Sequence, residues 1–295
     1  MDVIDVSDLR HTYGSFAAVA GVGFSVREGE IFALLGTNGA GKTTTLQLIE
    51  GFQPPTGGRV RVFGKDPVAD RAGIVADVGM MLQSSGLIGE LTVAETLRLW
   101  GGLRSRVDSA TDLMSLVDLT AKRDVAVEKL SGGERRRLDF AMAIWGRPPL
   151  VILDEPTTGL DPESRANLWD IVAKLRADGT TVLLTTHYLE EAQALADQVA
   201  IMHQGRIEVA GTLTEVLDNL PARITAKVPV AVPLPLFAGT PTVDGQVLTV
   251  TTDRLQDDLF TLLRWADQHT IRLDGLAASP ASLQEIFLSI GKEKV

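Results

Sequence analysis

The chain contains no cysteine in its 295 residues. That excludes a disulfide framework and any thiolate metal site, and it fits a reducing compartment. Basic residues are the second shortage, with 28 Lys and Arg against 38 Asp and Glu and a formal net charge of -10. Broad nucleic-acid binding rests on neutralising phosphates with Lys and Arg, so no nucleic-acid partner is expected, although a local basic patch stays open. Long apolar runs are missing as well. The opening MDVIDVSDLR carries acids, lacks a stretch of signal-peptide length and reads as a native strand. The most apolar late segment, PVAVPLPLFAG at residues 229–239, holds three prolines and falls short of the roughly 20 residues that cross a bilayer. No segment is expected to span a membrane, and no internal repeat or low-complexity tract is visible.

What is present predicts one large unit and a smaller one, since the length exceeds a typical domain. Ile31 to Leu35, Val60 to Phe63, Leu150 to Leu153 and Val182 to Thr185 read as strands. In ESRANLWDIVAKLRADG, Leu168, Ile171, Val172 and Leu175 fall at i, i+3, i+4 and i+7 with Gly179 as a stop, which predicts a helix. Apolar strands between such helices imply a mostly parallel sheet covered on both faces. From about residue 88 to about residue 146 the strand signals give way to TVAETLRLW, ATDLMSLVDL and GERRRLDFAMAIW, a helical insertion. A polar turn at His203 to Gly205 joins two apolar runs as a hairpin, and TEVLDNLP closes the region. Beyond it the pattern predicts a strand at Arg223 to Val228, a hairpin about Asp244-Gly245, a helix in RLQDDLFTLLRWAD, a strand at Ile271 to Leu273 and a helix in SLQEIFLSI. The expected domains are an α/β unit at 1–220 and a small α+β unit at 221–295.

Gly36-Thr37-Asn38-Gly39-Ala40-Gly41-Lys42-Thr43 fits G-x-x-x-x-G-K-[ST] between an apolar run and a helical one. The glycines let the loop curl until backbone N–H groups converge on phosphate oxygens, and the following helix adds its positive N-terminal dipole. Lys42 is expected to reach the β and γ phosphates of a nucleotide, and the Thr43 hydroxyl to ligate Mg²⁺. PLVILDEP ends an apolar strand at Asp154 and Glu155, at the sheet edge where open α/β sheets bind ligands. Asp154 is placed to hold Mg²⁺, directly or through water. Glu155 is left to polarise an attacking water, a role typically worth about 10² to 10⁴ in rate. A second device, Leu130-Ser131-Gly132-Gly133-Glu134, opens a helix, where a hydroxyl and unhindered N–H groups form an anion site. One chain therefore carries two phosphate-binding devices.

Together these residues resemble the nucleotide-binding ATPase subunit of an ABC transporter, over residues 1 to about 218. The resemblance implies an α/β fold with a P-loop NTPase core of the ABC ATPase type, and ATP and Mg²⁺ as ligands. In that family the LSGGQ signature binds ATP held by the other subunit of a head-to-tail dimer. Ser131, Gly132 and Gly133 would then meet the partner's nucleotide, so the two devices serve two different nucleotides. By the same resemblance Gly36, Asn38, Gly39, Ala40, Gly41, Lys42, Thr43 and Thr44 bind the nucleotide and Tyr13 stacks on adenine. Gln83 joins the Mg²⁺ and water site to the helical insertion, Asp161 lies in the loop that crosses the dimer interface, and His187 contacts the γ-phosphate. Glu155, His187, Gln83 and Lys42 form the implied catalytic set, and Thr43, Gln83 and Asp154 the metal set. Plainer readings exist for single residues: Tyr13 as strand-end packing, Asp161 as a helix N-cap. Glu134 stands where the family has Gln, a carboxylate near the expected triphosphate that Arg135, Arg136, Arg137 and the helix dipole are expected to offset. Thr37 stands where Pro is usual, at a position that supplies no phosphate chemistry.

The run THYLEEAQALADQVAIMHQGRIEVAGT and the arginine-rich signature resemble the ATPase chains of ABC-2 type drug and antibiotic efflux exporters, as does the C-terminal module. That implies separate polytopic membrane permease chains, a second and identical ATPase subunit, and a peripheral place on the cytoplasmic face of the cell membrane. Met80, Met81, Leu82 and Leu87 are the apolar surface expected to meet the membrane partner, or else belong to the core. The competing reading is a soluble ABC ATPase acting on ribosome or chromosome. It fits less well, because one loop and one signature are present with only a short interval, free of sustained heptads, between them.

Overall fold

The computed structural model of the chain describes residues 1–83, 86–218, 221–229 and 232–279. Two long strands, β1 (Asp2–Tyr13) and β2 (Phe16–Arg27), open it, folded back on one another across Gly14 and Ser15. β3 (Ile31–Gly36), α1 (Lys42–Ile49), β4 (Gly57–Val62) and β5 (Val78–Met81) follow. The helices α2 (Val93–Leu103), α3 (Ala110–Leu116) and α4 (Gly132–Ala143) come next, with no strand between them among the described residues. β6 (Leu150–Asp154), α5 (Pro162–Ala177), β7 (Thr181–Thr186), α6 (Leu189–Leu195), β8 (Gln198–His203) and β9 (Arg206–Thr212) complete this part.

β1 pairs antiparallel with β2 and β4 in a three-stranded sheet of order β2-β1-β4. A six-stranded sheet runs β5-β6-β7-β3-β8-β9, parallel from β5 to β8. β3, β6 and β7 are buried at every residue, as parallel strands covered on both faces must be. One core joins Val22 and Val60 of the small sheet, Leu46 and Leu48 of α1, and Leu34, Ile152 and Leu183 of the large one. The small sheet was only partly foreseen: β2 gives a weak pattern because Gly21 and Gly23 interrupt it, and its pairing with β1 slips register several times. The hairpin expected about His203 to Gly205 is present as β8 and β9, neighbours in the sheet.

The helices start and stop where capping chemistry permits. Thr92 and Glu95 form a reciprocal capping box on α2, and Ser131 and Glu134 form another on α4. Asp161 is the N-cap of α5, accepting from the Ser164 amide at 2.9 Å, with Pro162 in the first turn. At the far end Gly179 (φ +93) donates to Arg176 O and Thr180 donates to Leu175 O, a Schellman ending that needs the glycine.

The chain divides into two compact units, Met1–Gly211 and Thr212–Val295. The second contains α7 (Leu213–Asp218), read above with the first domain, then β10 (Ala222–Lys227), β11 (Thr240–Asp244), β12 (Val247–Thr252), α8 (Leu255–Gln268) and β13 (Asp274–Ser279). Its antiparallel sheet has the order β11-β12-β10-β13. Ile224, Leu248, Val250, Leu262 and Trp265 form its core. The strand expected at Ile271 to Leu273 lies three residues later: Ile271 and Leu273 pack on this core, and main-chain pairing to β10 begins at Asp274. The helix expected in SLQEIFLSI lies outside the described residues. Among those described, no helix is long and apolar enough to cross a membrane.

Candidate functional site

The strand order decides which residues meet. β5, β6, β7 and β3 are consecutive neighbours in the parallel sheet, so the loops that leave their carboxyl ends emerge side by side over roughly 15 Å. Those loops carry Gln83, then Glu155, then His187, then Gly36 to Lys42. They line a cleft of about 690 Å³ formed by Tyr13, Phe16, Thr37 to Thr44, Gln83, Glu155, Thr158 and His187, within the size range of small-ligand sites.

At the glycine loop the backbone has no room to spare. A Cβ at Gly36 would sit 2.5 Å from Met202 O, and one at Gly41 (φ +102) would sit 2.3 Å from Ala18 O. A Cβ at Gly39 would meet nothing within 4 Å, so the crest of the loop is open toward the cleft. The loop is tied down by the Gly205 amide donating to Ala40 O at 2.9 Å and by the Ala40 amide donating to Thr37 O at 3.1 Å. Lys42 is buried. Its ammonium donates to Gly36 O at 2.7 Å and to Thr37 O at 3.3 Å, and lies 3.4 Å from Glu155 Oε1.

Glu155 follows β6 in a left-handed backbone conformation (φ +49), which costs a non-glycine residue about 1–3 kcal/mol and recurs at active sites. Its amide donates to Thr185 O and Thr185 Oγ1, at 3.2 and 3.0 Å. Its second carboxylate oxygen lies 3.3 Å from His187 Nδ1 and accepts from Thr158 Oγ1 at 3.2 Å. Burial pushes the Glu155 carboxyl up, but the Lys42 ammonium and His187 more than offset it, and the group ends below the ordinary carboxylate range. It is therefore ionised at neutral pH, as a proton acceptor has to be. Asp154 is buried at the end of β6, and its Oδ1 accepts from Thr185 Oγ1.

Among the described residues no group of three His, Cys, Asp or Glu is placed to hold a metal. That suits Mg²⁺, which is held by one or two protein oxygens together with substrate phosphates and waters. Of the three residues expected to hold it, Thr43 and Gln83 line the cleft with a hydroxyl and an amide group, and Asp154 is buried at the end of β6.

Tyr13 is half-exposed at the end of β1, with its hydroxyl accepting from Gln53 Nε2 at 2.8 Å and its ring edge-on to His11. Phe16, its cross-strand partner in the β1–β2 hairpin, also faces the cleft and is 63% exposed. The sequence reading missed this second aromatic, although its place across the two-residue turn from Tyr13 gave a signal. Ser131, Gly132, Gly133 and Asp161 do not line the cleft. Asp161 caps α5, and its carboxyl is held low chiefly by the Ser164 amide.

The signature helix differs from expectation in one respect. The Glu134 carboxylate folds back to accept from the Ser131 amide at 2.8 Å and pairs with Lys122 at 3.0 Å, which together hold its pKa low. Lys122, not the arginine run, is its counter-charge: Arg135 reaches Val127 O, Arg136 binds main-chain carbonyls and Arg137 reaches Ser164 Oγ and Asp118. A further correction concerns the expected apolar surface. Met81 is 1% exposed and Met80 packs on the core, because both lie in β5; Leu82 is exposed and Leu87 half-buried.

Sequence reasoning also missed Glu50, which ends α1 inside the apolar run LQLIEGF and is 3% exposed. Burial, reinforced by the charge of Asp154 and only partly offset by Arg71, pushes its carboxyl up to about 8. The Glu50 carboxyl is therefore largely neutral at pH 7.

Comparison with known proteins agrees with this geometry. A family model described as "ABC transporter" matches residues 19–158, and one described as "ABC transporter domain-containing protein-like, C-terminal domain" matches residues 222–282. The chain is 35% identical to the Daunorubicin resistance ATP-binding protein DrrA3 of Streptomyces coeruleorubidus, over 97% of this chain and 95% of that one. It is 34% identical to the Nod factor export ATP-binding protein I of Rhizobium etli, over 99% and 95%. A solved ATP binding subunit of an ABC transporter matches with a TM-score of 0.67 at 30% identity, covering 72% of this chain and 91% of that one. The chain belongs to the ABC transporter ATP-binding proteins, and its reaction is the hydrolysis of ATP with Mg²⁺.

Proposed function

We propose that two copies of this chain bind two ATP molecules between them and power an exporter whose membrane-embedded part is a separate polytopic protein. The observation that carries the reading is the division of phosphate-binding groups into two sets. One set lines the cleft around Gly36 to Thr44, while Ser131 to Gly133 stand elsewhere, at the N-terminus of α4. A second copy in head-to-tail arrangement gives the second set its phosphate. The names of the relatives, which speak of daunorubicin resistance and Nod factor export, support export of an antibiotic-like or lipid-like compound.

In this reading Gly36 to Thr44 cradle the phosphates and Lys42 turns from Gly36 O toward the γ-phosphate. Tyr13, with Phe16 beside it, takes the adenine. Thr43, Asp154 and Gln83 would hold Mg²⁺, which would supply charge neutralisation for the phosphates. Glu155 accepts a proton from water as the water oxygen bonds to the γ-phosphorus, the bond to the bridging oxygen breaks, and ADP and phosphate result. His187 steadies the Glu155 carboxylate and contacts the γ-phosphate. Asp161 lies in the loop that meets the second copy. The place of work is the cytoplasmic face of the membrane, reached through the permease, which contacts the helical insertion around Leu82 and Leu87. Residues 221–295 form an accessory unit that supports or regulates the dimer.

The test is co-purification of tagged Glu155→Gln chain with MgATP from detergent-solubilised host membranes. Recovery of one polytopic membrane protein is expected. Recovery of ribosomal or nucleoid proteins alone would end the exporter reading and leave the ATPase chemistry standing.

A further inference from the structure

Arg136 is the fifth residue of α4 and is only 8% exposed. A buried cation needs partners, and a carboxylate is the usual one. Here the negative charge of Asp139, Asp154, Glu155 and Glu191 lies nearby, and four of the hydrogen bonds go to main-chain carbonyls. One guanidinium nitrogen donates to Leu82 O at 2.8 Å and Gln83 O at 3.4 Å, and the other to Glu155 O at 2.8 Å and to Asp154 O. The β5–β6 ladder ends at Met81 paired with Leu153, so these carbonyls belong to the stretches just beyond it, where no strand pairing joins the two chains. Glu155 is anchored on its other side by Thr185, and its left-handed backbone persists only where the surroundings over-determine it.

We propose that Arg136 is a positioning residue for hydrolysis: its rigid fork clamps the chain leaving β5 to the chain leaving β6, fixing Gln83 and Glu155 relative to one another. Because Arg136 rides on α4, the same clamp ties both to the helix that begins at Ser131. Displacement of that helix is thereby transmitted to the catalytic carboxylate. This rests on Glu155 as the proton acceptor, but not on the identity of the cargo or membrane partner.

Steady-state turnover of the full chain is measured for Arg136→Gln, Arg136→Lys, Gln83→Ala and the Arg136→Gln/Gln83→Ala double variant, with equilibrium binding of a fluorescent ATP analogue in parallel. Arg136→Gln is expected to lower kcat about 10- to 100-fold, the scale of a small misplacement of reacting groups, while the analogue binds within about threefold of the wild type. Arg136→Lys is expected to recover little, since an ammonium cannot span both loops in the manner of a planar fork. The double variant should lose about as much as the worse single one, because both changes act through the same loop. Full turnover in Arg136→Lys, losses that multiply, or analogue binding that falls in step with kcat would each overturn the proposal. If the wild-type chain itself turns over no ATP, the hydrolytic reading fails instead. Amide hydrogen exchange then decides the clamp separately: residues 82–83 and 154–158 should exchange faster in Arg136→Gln, and unchanged rates overturn it.

Discussion

Glu155 shows at the scale of one side chain how the site sets its own chemistry. Lys42 on one carboxylate oxygen and His187 on the other keep it ionised despite its burial. Glu50, a few residues beyond the glycine loop, is under the opposite influence, with burial and the Asp154 charge only partly offset by Arg71. Its carboxyl is pushed up to about 8, so the folded chain holds a proton that the unfolded chain releases near pH 4.5. Stability is therefore lost as pH rises across that window, and Glu50→Gln removes the loss. Thermal melts of the nucleotide-free chain should show the variant gaining on the wild type from pH 5 to pH 9, by an amount on the order of a few kcal/mol. Parallel melting curves at all pH values would contradict this. Lys42, Asp154 and Glu155 were singled out in the sequence by position, Lys42 where the glycine loop enters α1 and the two acids at the end of β6. Arg136 was not singled out from its neighbours, although it shares the buried face of α4 with Phe140 and Ala143 at i+4 and i+7.

Among the elements, those with one strong signal were readable. β3, β6 and β7 are apolar throughout, and α5 has a clear period, a cap and a glycine stop. β13 was misplaced because its sequence, DGLAAS, has no β-branched residue and its pairing with β10 is carried by main chain alone. In the second unit α8 is fastened by Asp258, whose buried carboxylate accepts from the Ala238 and Gly239 amides at 2.7 and 2.9 Å. Burial acts to raise the Asp258 carboxyl, but Thr252 and these two amides prevail and hold it below its ordinary value. Its contribution is present above pH 3.8 and disappears as pH falls through the lower, folded-state pKa. Asp258→Ala leaves buried donors without acceptors and should cost about 2–4 kcal/mol in this unit. Hydrogen exchange read at residues 237–252 measures it: faster exchange there, with β3 and α1 unchanged, is the expected result, and full protection would contradict it.

For the whole molecule, the two units carry different kinds of information. Every described residue that lines the cleft belongs to the first unit, and the second has a core of its own. Removal of residues 222–295 is therefore expected to spare ATP binding while weakening ATP-dependent dimerisation or its regulation, which equilibrium binding and sedimentation can separate. Unchanged dimerisation, turnover and export in the truncated chain would remove the accessory role. On the proposed reading, the division of phosphate-binding groups between the cleft and the start of α4 leaves a single chain an incomplete enzyme. The measurement that tests this most directly is the solution mass of the Glu155→Gln chain with and without MgATP. A dimer that appears only with ATP and persists because the nucleotide is not hydrolysed is the expected result. A monomer at saturating ATP, or a dimer equally abundant without nucleotide, would contradict it.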